Sequence, residues 1–380
     1  MQLVLSEDQE LLAKTAADFV SEHSPVARIR ELRDRSDPDG FSRSLWKQMA
    51  ELGWVGIPFP ESLGGADMGL AELAVVLEEL GRKLAPEPFL SSVLLAGQVI
   101  LRAGSETQQQ AWLPDLVRGE RLLALAYQEP GSRHDLASHA TRAERSEDGW
   151  RISGEKIAVL DGASADAFVV SARTDGGERE RAGITLFLLP RDAAGLGVEA
   201  QRRVDSRNAA LLHLDRVPVS ADAQVGVAGE GLAVLEEVVD LATVGLCAEM
   251  LGSMSEAFER TLEYLRQRKQ FGVPIGSFQG LKHRAAHLFI EVELCRSAVM
   301  AAARAVDEGN PEAAKLVSLA KARCSEAAVL VTNEAVQMFG GIGMTDEHEI
   351  GFYMKRARVA EQTFGDATHH RERWARLSEY

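Results

Sequence analysis

The spacing of apolar residues changes twice along this chain, and that double change limits its fold more than any single motif. Over residues 1–121, Leu11, Leu12, Ala16 and Phe19 recur at helical intervals, and Leu45 to Leu52 and Leu70 to Leu84 continue the pattern. Ser6 precedes Glu7, Asp8 and Glu10 and reads as a helix cap with favourable first-turn charge. Gly53 to Gly69, with Pro58, Pro60, Gly64 and Gly65, reads as a loop. From 122 to 223 the period shortens: Ala167–Arg173 and Ile184–Pro190 are short apolar runs, and Leu211–Val219 alternates like a half-exposed strand. Residues 224–380 return to long helices. One apolar face runs through Leu246, Met250, Met254, Phe258 and Leu265, and another through Leu288, Val292, Cys295, Val299 and Ala303. A further helix, from Glu312 to Phe339, is expected to stop at Gly340-Gly341. The expected class is α+β, mostly α: an N-terminal α-helical domain (1–121), a middle β domain (122–223) and a C-terminal helical bundle (224–380).

With 46% hydrophobic residues in 380, the chain has material for a large core. Its formal charge of -15 argues against nucleic acid as a partner, because that surface must be basic to displace counterions. No apolar run reaches the roughly 20 residues that span a bilayer, so no membrane partner is expected. Met1 to Glu10 carries no basic-then-apolar leader pattern, which makes a cytoplasmic location the default expectation. Cys247, Cys295 and Cys324 form no Cys-x-x-Cys pair and read as buried thiols in a reducing compartment. The histidines offer no convincing metal set: His369 and His370, beside Asp366, point in different directions on a helix. No metal is expected.

Two segments carry the chemistry. Arg266 to Gln279 closes a long helix; Arg268 offers a fork of donors suited to a diphosphate, and Phe271 and Phe278 offer flat faces to a heterocycle. Gln337-Met338-Phe-Gly340-Gly341-Ile-Gly343 brings small residues where backbone N–H groups can approach a ligand closely. It follows a helix rather than a strand, so it is not a Rossmann turn.

Arg268-Lys-Gln-Phe-Gly272, the Gln337–Gly343 segment, the stretch from Trp46 through Gly64 and the α, β, α order together resemble the acyl-CoA dehydrogenase family. The resemblance spans essentially the whole chain. It implies a middle β-barrel or sandwich, a C-terminal four-helix bundle, FAD as cofactor, an acyl-CoA thioester as substrate and electron-transfer flavoprotein as acceptor. It implies α,β-desaturation, in which a carboxylate base removes the α-proton and the β-hydrogen leaves as hydride to the flavin. It assigns Arg268, Phe271, Ile275, Phe278, Gln279, Gln337, Met338, Gly340, Gly341, Tyr127 and Leu160 to the cofactor, and Asp240 and Thr243 to the substrate.

The chain departs from that family where the base should be. Gly365 matches the glycine of the family's Glu-Gly pair, which puts Phe364 at the base; at the alternative base position stands Ala242, with Thr243 where a substrate-binding arginine is expected. The loop Tyr127–Asp135 keeps Glu-Pro-Gly and loses the small residues that follow it. Ala158 and Leu160 occupy the positions of a Trp and a Thr beside the flavin ring. This one-sided loss is similar to the small subunit of pimeloyl-CoA dehydrogenase and to base-lacking subunits of heteromeric steroid-side-chain dehydrogenases. The leading expectation is a base-lacking subunit of a hetero-oligomer, a heterotetramer with a homologous subunit. One alternative is a self-sufficient homo-oligomer that uses Asp366; another is a structural subunit without flavin.

Overall fold

The computed structural model describes residues 4–380; residues 1–3, the start of the acidic amino-terminal stretch, lie outside the described residues. Among the described residues no helix is long and apolar enough to cross a membrane. In chain order the first helices are α1 (Glu7–His23), α2 (Ala27–Arg35), α3 (Arg43–Glu51) and α4 (Leu70–Arg82). Ser6 caps α1 as its sequence predicts: Gln9 N–H donates to Ser6 Oγ at 3.2 Å while the Gln9 side chain accepts from Ser6 N–H at 3.1 Å. A fully buried π-helical segment, Phe89–Ala96, then leads into α5 (Gly97–Ala103) and α6 (Glu106–Val117).

The chain divides into two compact units, and these cut across the order of the sequence. The second unit, Leu32–Met68 with Pro86–Ala242, contains the sheet. Its strands are β1 (Leu123–Ala126), β2 (Arg142–Ser146), β3 (Gly149–Leu160), β4 (Ala167–Arg173), β5 (Ile184–Pro190), β6 (Leu196–Arg202), β7 (Asn208–Ser220) and β8 (Gln224–Val225). They form one mixed sheet in the order β6-β7-β3-β2-β4-β5-β8, with β1 parallel to β4. β4 is buried along its whole length, including the polar Ser171 and Arg173 that follow its apolar start. Phe168, Phe187, Leu212, Ile152 and Trp150 meet in its core.

The first unit gathers the described residues up to Glu31, Gly69–Ala85 and Thr243–Tyr380. Its long helices are α7 (Gly231–Gln267, in this unit from Thr243), α8 (Gln279–Asp307), α9 (Ala313–Phe339), α10 (Ile350–Gln362) and α11 (Ala367–Leu377). α4 packs on α7 with almost no gap. A Cβ at Gly81 would lie 2.2 Å from the Glu249 carbonyl, and one at Gly252 would lie 1.8 Å from that of Glu78. Beside this contact Arg356 forks onto Glu249, at 2.7 and 3.1 Å, with both side chains buried. Cys247, Cys295 and Cys324 are free and buried, on α7, α8 and α9.

Candidate flavin-facing surface and vacant base position

α7 ends at Gln267, and the chain turns through a two-stranded hairpin, β9 (Lys269–Gln270) and β10 (Val273–Pro274), before α8 begins. The register pairs Val273 with Gln270, which leaves Phe271 and Gly272 as a two-residue loop. Their φ values of 53 and 79° are those of a type I′ turn, in which a bulky first residue is strained. Phe271 is 91% exposed, and its one ring contact among the described residues is with Phe278, edge to face at 6.0 Å. An aromatic ring held in solvent on a strained residue gains little from the fold of its own unit beyond that one contact.

Arg268, at the base of this hairpin, is exposed, and its guanidinium has no partner among the described residues. Phe278 is the first cap of α8 and makes no side-chain capping bond; Gln279 and Gly280 follow, both exposed. The leading N–H groups of α8 therefore stand ready for an anion. Ile275, half-buried, lies in the turn between hairpin and helix.

The end of α9 lies beside the end of α7, because Tyr264 stacks on Phe339 with ring centroids 4.4 Å apart. Gln337 is exposed and Met338 is buried, so the first faces outward and the second anchors the helix. Gly340 needs to be glycine for its φ of 67°. Gly341 does not: its φ is not positive, and a Cβ there would meet nothing within 4 Å. Gly280 is the same, although a glycine in a helix costs about 1 kcal/mol and nothing in the chain requires it. Two glycines with open space before them fit a group that approaches the backbone closely. Sequence reasoning missed Gly280; a glycine in the first turn of a long helix was the available signal. On this unit the residues present fit FAD.

The sheet unit fits it less well. Tyr127, at the end of β1, is buried, and burial pushes its phenol well above the ordinary range. Leu160 is half-buried and pairs with Ala209 across to β7; Ala158 is exposed at a φ of 51°, within a β-bulge. Neither side chain donates a hydrogen bond. The retained Glu129 is a structural knot. Lys156, wholly buried, donates to Glu129 Oε1 at 2.5 Å, and the N–H groups of Ala140 and Thr141 also donate to this carboxylate. Burial alone would raise Glu129, but the Lys156 charge and these donors hold it below the usual carboxylate range, while burial pushes Lys156 down to about 8.

Both positions that the sequence reading assigns to the base lack a carboxylate. Ala242 is fully buried on α7, Thr243 beside it is fully buried too, and Asp240 is half-buried. Phe364, 6% exposed, lies in the α10–α11 turn with a φ of 62°, a left-handed conformation that costs a bulky residue on the order of 1–3 kcal/mol. Asp366, two residues on, caps α11: its Oδ1 accepts from His369 N–H at 2.9 Å. His370 Nε2 lies 3.0 Å from the Phe364 carbonyl. Because a carbonyl only accepts, this nitrogen carries the proton; burial and then the Lys321 charge push the imidazole down to about 3, so it is neutral. No group of three or more His, Cys, Asp or Glu among the described residues has the arrangement to hold a metal.

Family models for the N-terminal, middle and C-terminal domains of acyl-CoA dehydrogenase match residues 6–120, 124–217 and 229–378. The mitochondrial short-chain specific acyl-CoA dehydrogenase of Sus scrofa is 29% identical over 364 residues, 94% of this chain and 86% of its own length. Among solved structures, the ChsE4-ChsE5 complex of Mycobacterium tuberculosis holds a chain 31% identical, with a TM-score of 0.89 and 100% of both chains covered. A Tcur3481-Tcur3483 steroid ACAD variant is 32% identical, with a TM-score of 0.87 and 98% of both chains covered.

Proposed function

Since the chain belongs to the acyl-CoA dehydrogenase family, whose members are FAD-binding oxidoreductases, we propose that it is the base-lacking subunit of a heteromeric acyl-CoA dehydrogenase. One observation carries the reading: neither assigned base position holds a carboxylate, while Arg268 on the α7–α8 connection stands exposed with no side-chain partner among the described residues. When bound, FAD supplies the acceptor for the β-hydrogen of the thioester. Arg268 and the first N–H groups of α8 bind its diphosphate, Phe271 and Phe278 cover apolar parts of it, and Gly340 and Gly341 let it reach the backbone. The homologous partner supplies the base and the ring contacts that Phe364, Ala158 and Leu160 cannot make. Electron-transfer flavoprotein is the proposed acceptor. A named steroid enzyme among the structural neighbours makes a steroid-side-chain thioester the first substrate to assay.

The test is co-expression with a second chain of the family, followed by measurement of FAD per chain and thioester turnover. Two chain types with flavin at half the number of chains, and activity only in the complex, are expected. Full turnover by this chain alone would sink the proposal. In that case Asp366 would be the carboxylate to examine, although its capping bond to α11 gives it another task.

A further inference from the structure

The α10–α11 turn is held in a geometry that its own backbone resists. Phe364 and Gly365 take successive positive φ values of 62 and 111°, and such a pair persists only where the surroundings over-determine it. Lys321, wholly buried on α9, is part of those surroundings. Its Nζ donates to the carbonyls of Ala360 at 3.0 Å, Glu361 at 3.0 Å and Gly365 at 2.8 Å, and lies 2.9 Å from Ser325 Oγ. The first two carbonyls belong to the last turn of α10, where no N–H follows to satisfy them. The third belongs to the turn itself. One ammonium thus ties the helix end to the strained loop that leaves it.

A buried ammonium is costly to desolvate, but an apolar side chain of the same volume would leave these three carbonyls unpaired. The thiols of Cys247 and Cys324 and the carboxylates of Glu361 and Asp366 also act on this ammonium through their charges. None of these supplies the N–H groups that the three carbonyls require.

We propose that Lys321 is a positioning residue, whose ammonium fixes the α10–α11 turn and so the direction in which residue 364 leaves the backbone. The functional meaning of that direction rests on the reading above, in which position 364 corresponds to the family's base.

The test is amide hydrogen exchange on the full chain, purified with whatever partner it retains. Lys321→Met keeps the volume and removes the donors. Amides of residues 363–370 should then exchange at least ~10-fold faster, with α8 and the sheet unchanged. Lys321→Ala should behave likewise and recover slow exchange when propylammonium is added, which a role in bulk packing would not produce. Wild-type exchange at 363–370 in Lys321→Met overturns the proposal, as does acceleration spread evenly over α7 to α11. If Lys321→Met does not fold, Lys321→Ala refolded with propylammonium present should fold and protect residues 363–370; fast exchange there under those conditions also overturns it. Exchange requires neither flavin nor turnover, so this result is separable from failure of the heteromeric reading.

Discussion

Replacing Arg268 with alanine separates cofactor binding from folding more cleanly than any other substitution in this chain. The guanidinium is exposed and has no partner among the described residues, so its removal should change the stability of the flavin-free protein by no more than about 0.5 kcal/mol. The effect on the cofactor should be much larger. A hydrogen bond to a charged group contributes about 1.5–3 kcal/mol, and a guanidinium grips a phosphate with two of them. Loss of about 3 kcal/mol weakens FAD binding roughly 100-fold. Equilibrium dialysis of the complex, read by flavin absorbance per chain, gives the first quantity, and thermal melting of the flavin-free protein gives the second. Arg268→Lys should fall between, because an ammonium keeps the charge and loses the fork. Unchanged FAD content in Arg268→Ala, or a large fall in melting temperature before any flavin is added, would refute the reasoning.

Three further outcomes are expected. Asp366→Asn should leave both melting and turnover of the complex unchanged, because asparagine caps a helix as well as aspartate; Asp366→Ala should cost about 1 kcal/mol in a melt through the lost cap. Phe271→Gly should stabilise the hairpin by on the order of 1 kcal/mol, since glycine relieves its φ of 53°, and should weaken FAD retention in the same dialysis assay. Lys321 gives a pH signature. Burial lowers its folded pKa to about 8, below the unfolded value, so between about pH 8 and 10 the unfolded chain holds the extra proton and stability rises with pH. Lys321→Met should remove up to about 3 kcal/mol of that rise in denaturant titrations.

The sequence spoke clearly where one physical signal dominated. The short apolar runs at 167–173 and 184–190 are fully or nearly fully buried strands, and the helix read from Glu312 to Phe339 ends at Gly340. Ser6 could be read as a cap because the capping box is local. The partition into units could not be read. α4 joins the C-terminal helices through Gly81 and Gly252, and close backbone contacts at two isolated glycines leave no periodic trace. The Phe89–Ala96 segment was equally silent, since a wholly buried helix has no polar face to set its period. In the candidate site, Arg268 and the Gln337–Gly341 segment were legible by residue type. Lys321 was not, because a single lysine on a long helix reads as a solvated charge until its four oxygen neighbours are known.

The two halves of the cofactor surface differ in a way that packing explains. On the proposed reading, the residues at the base and ring-contact positions suit a chain's own interior: Phe364 and Ala242 are buried, and Leu160 is half-buried in the sheet. Where the diphosphate-facing set persists, the residues do not serve their own unit. Phe271 holds a strained turn in solvent, Gly280 and Gly341 face open space, and Arg268 stands without a partner among the described residues. Each of these choices costs an isolated chain stability or gains it nothing. A bound group that spans two subunits recovers the cost at one half of the surface and leaves the other free to repack. That asymmetry is expected of a subunit that completes another chain's active site.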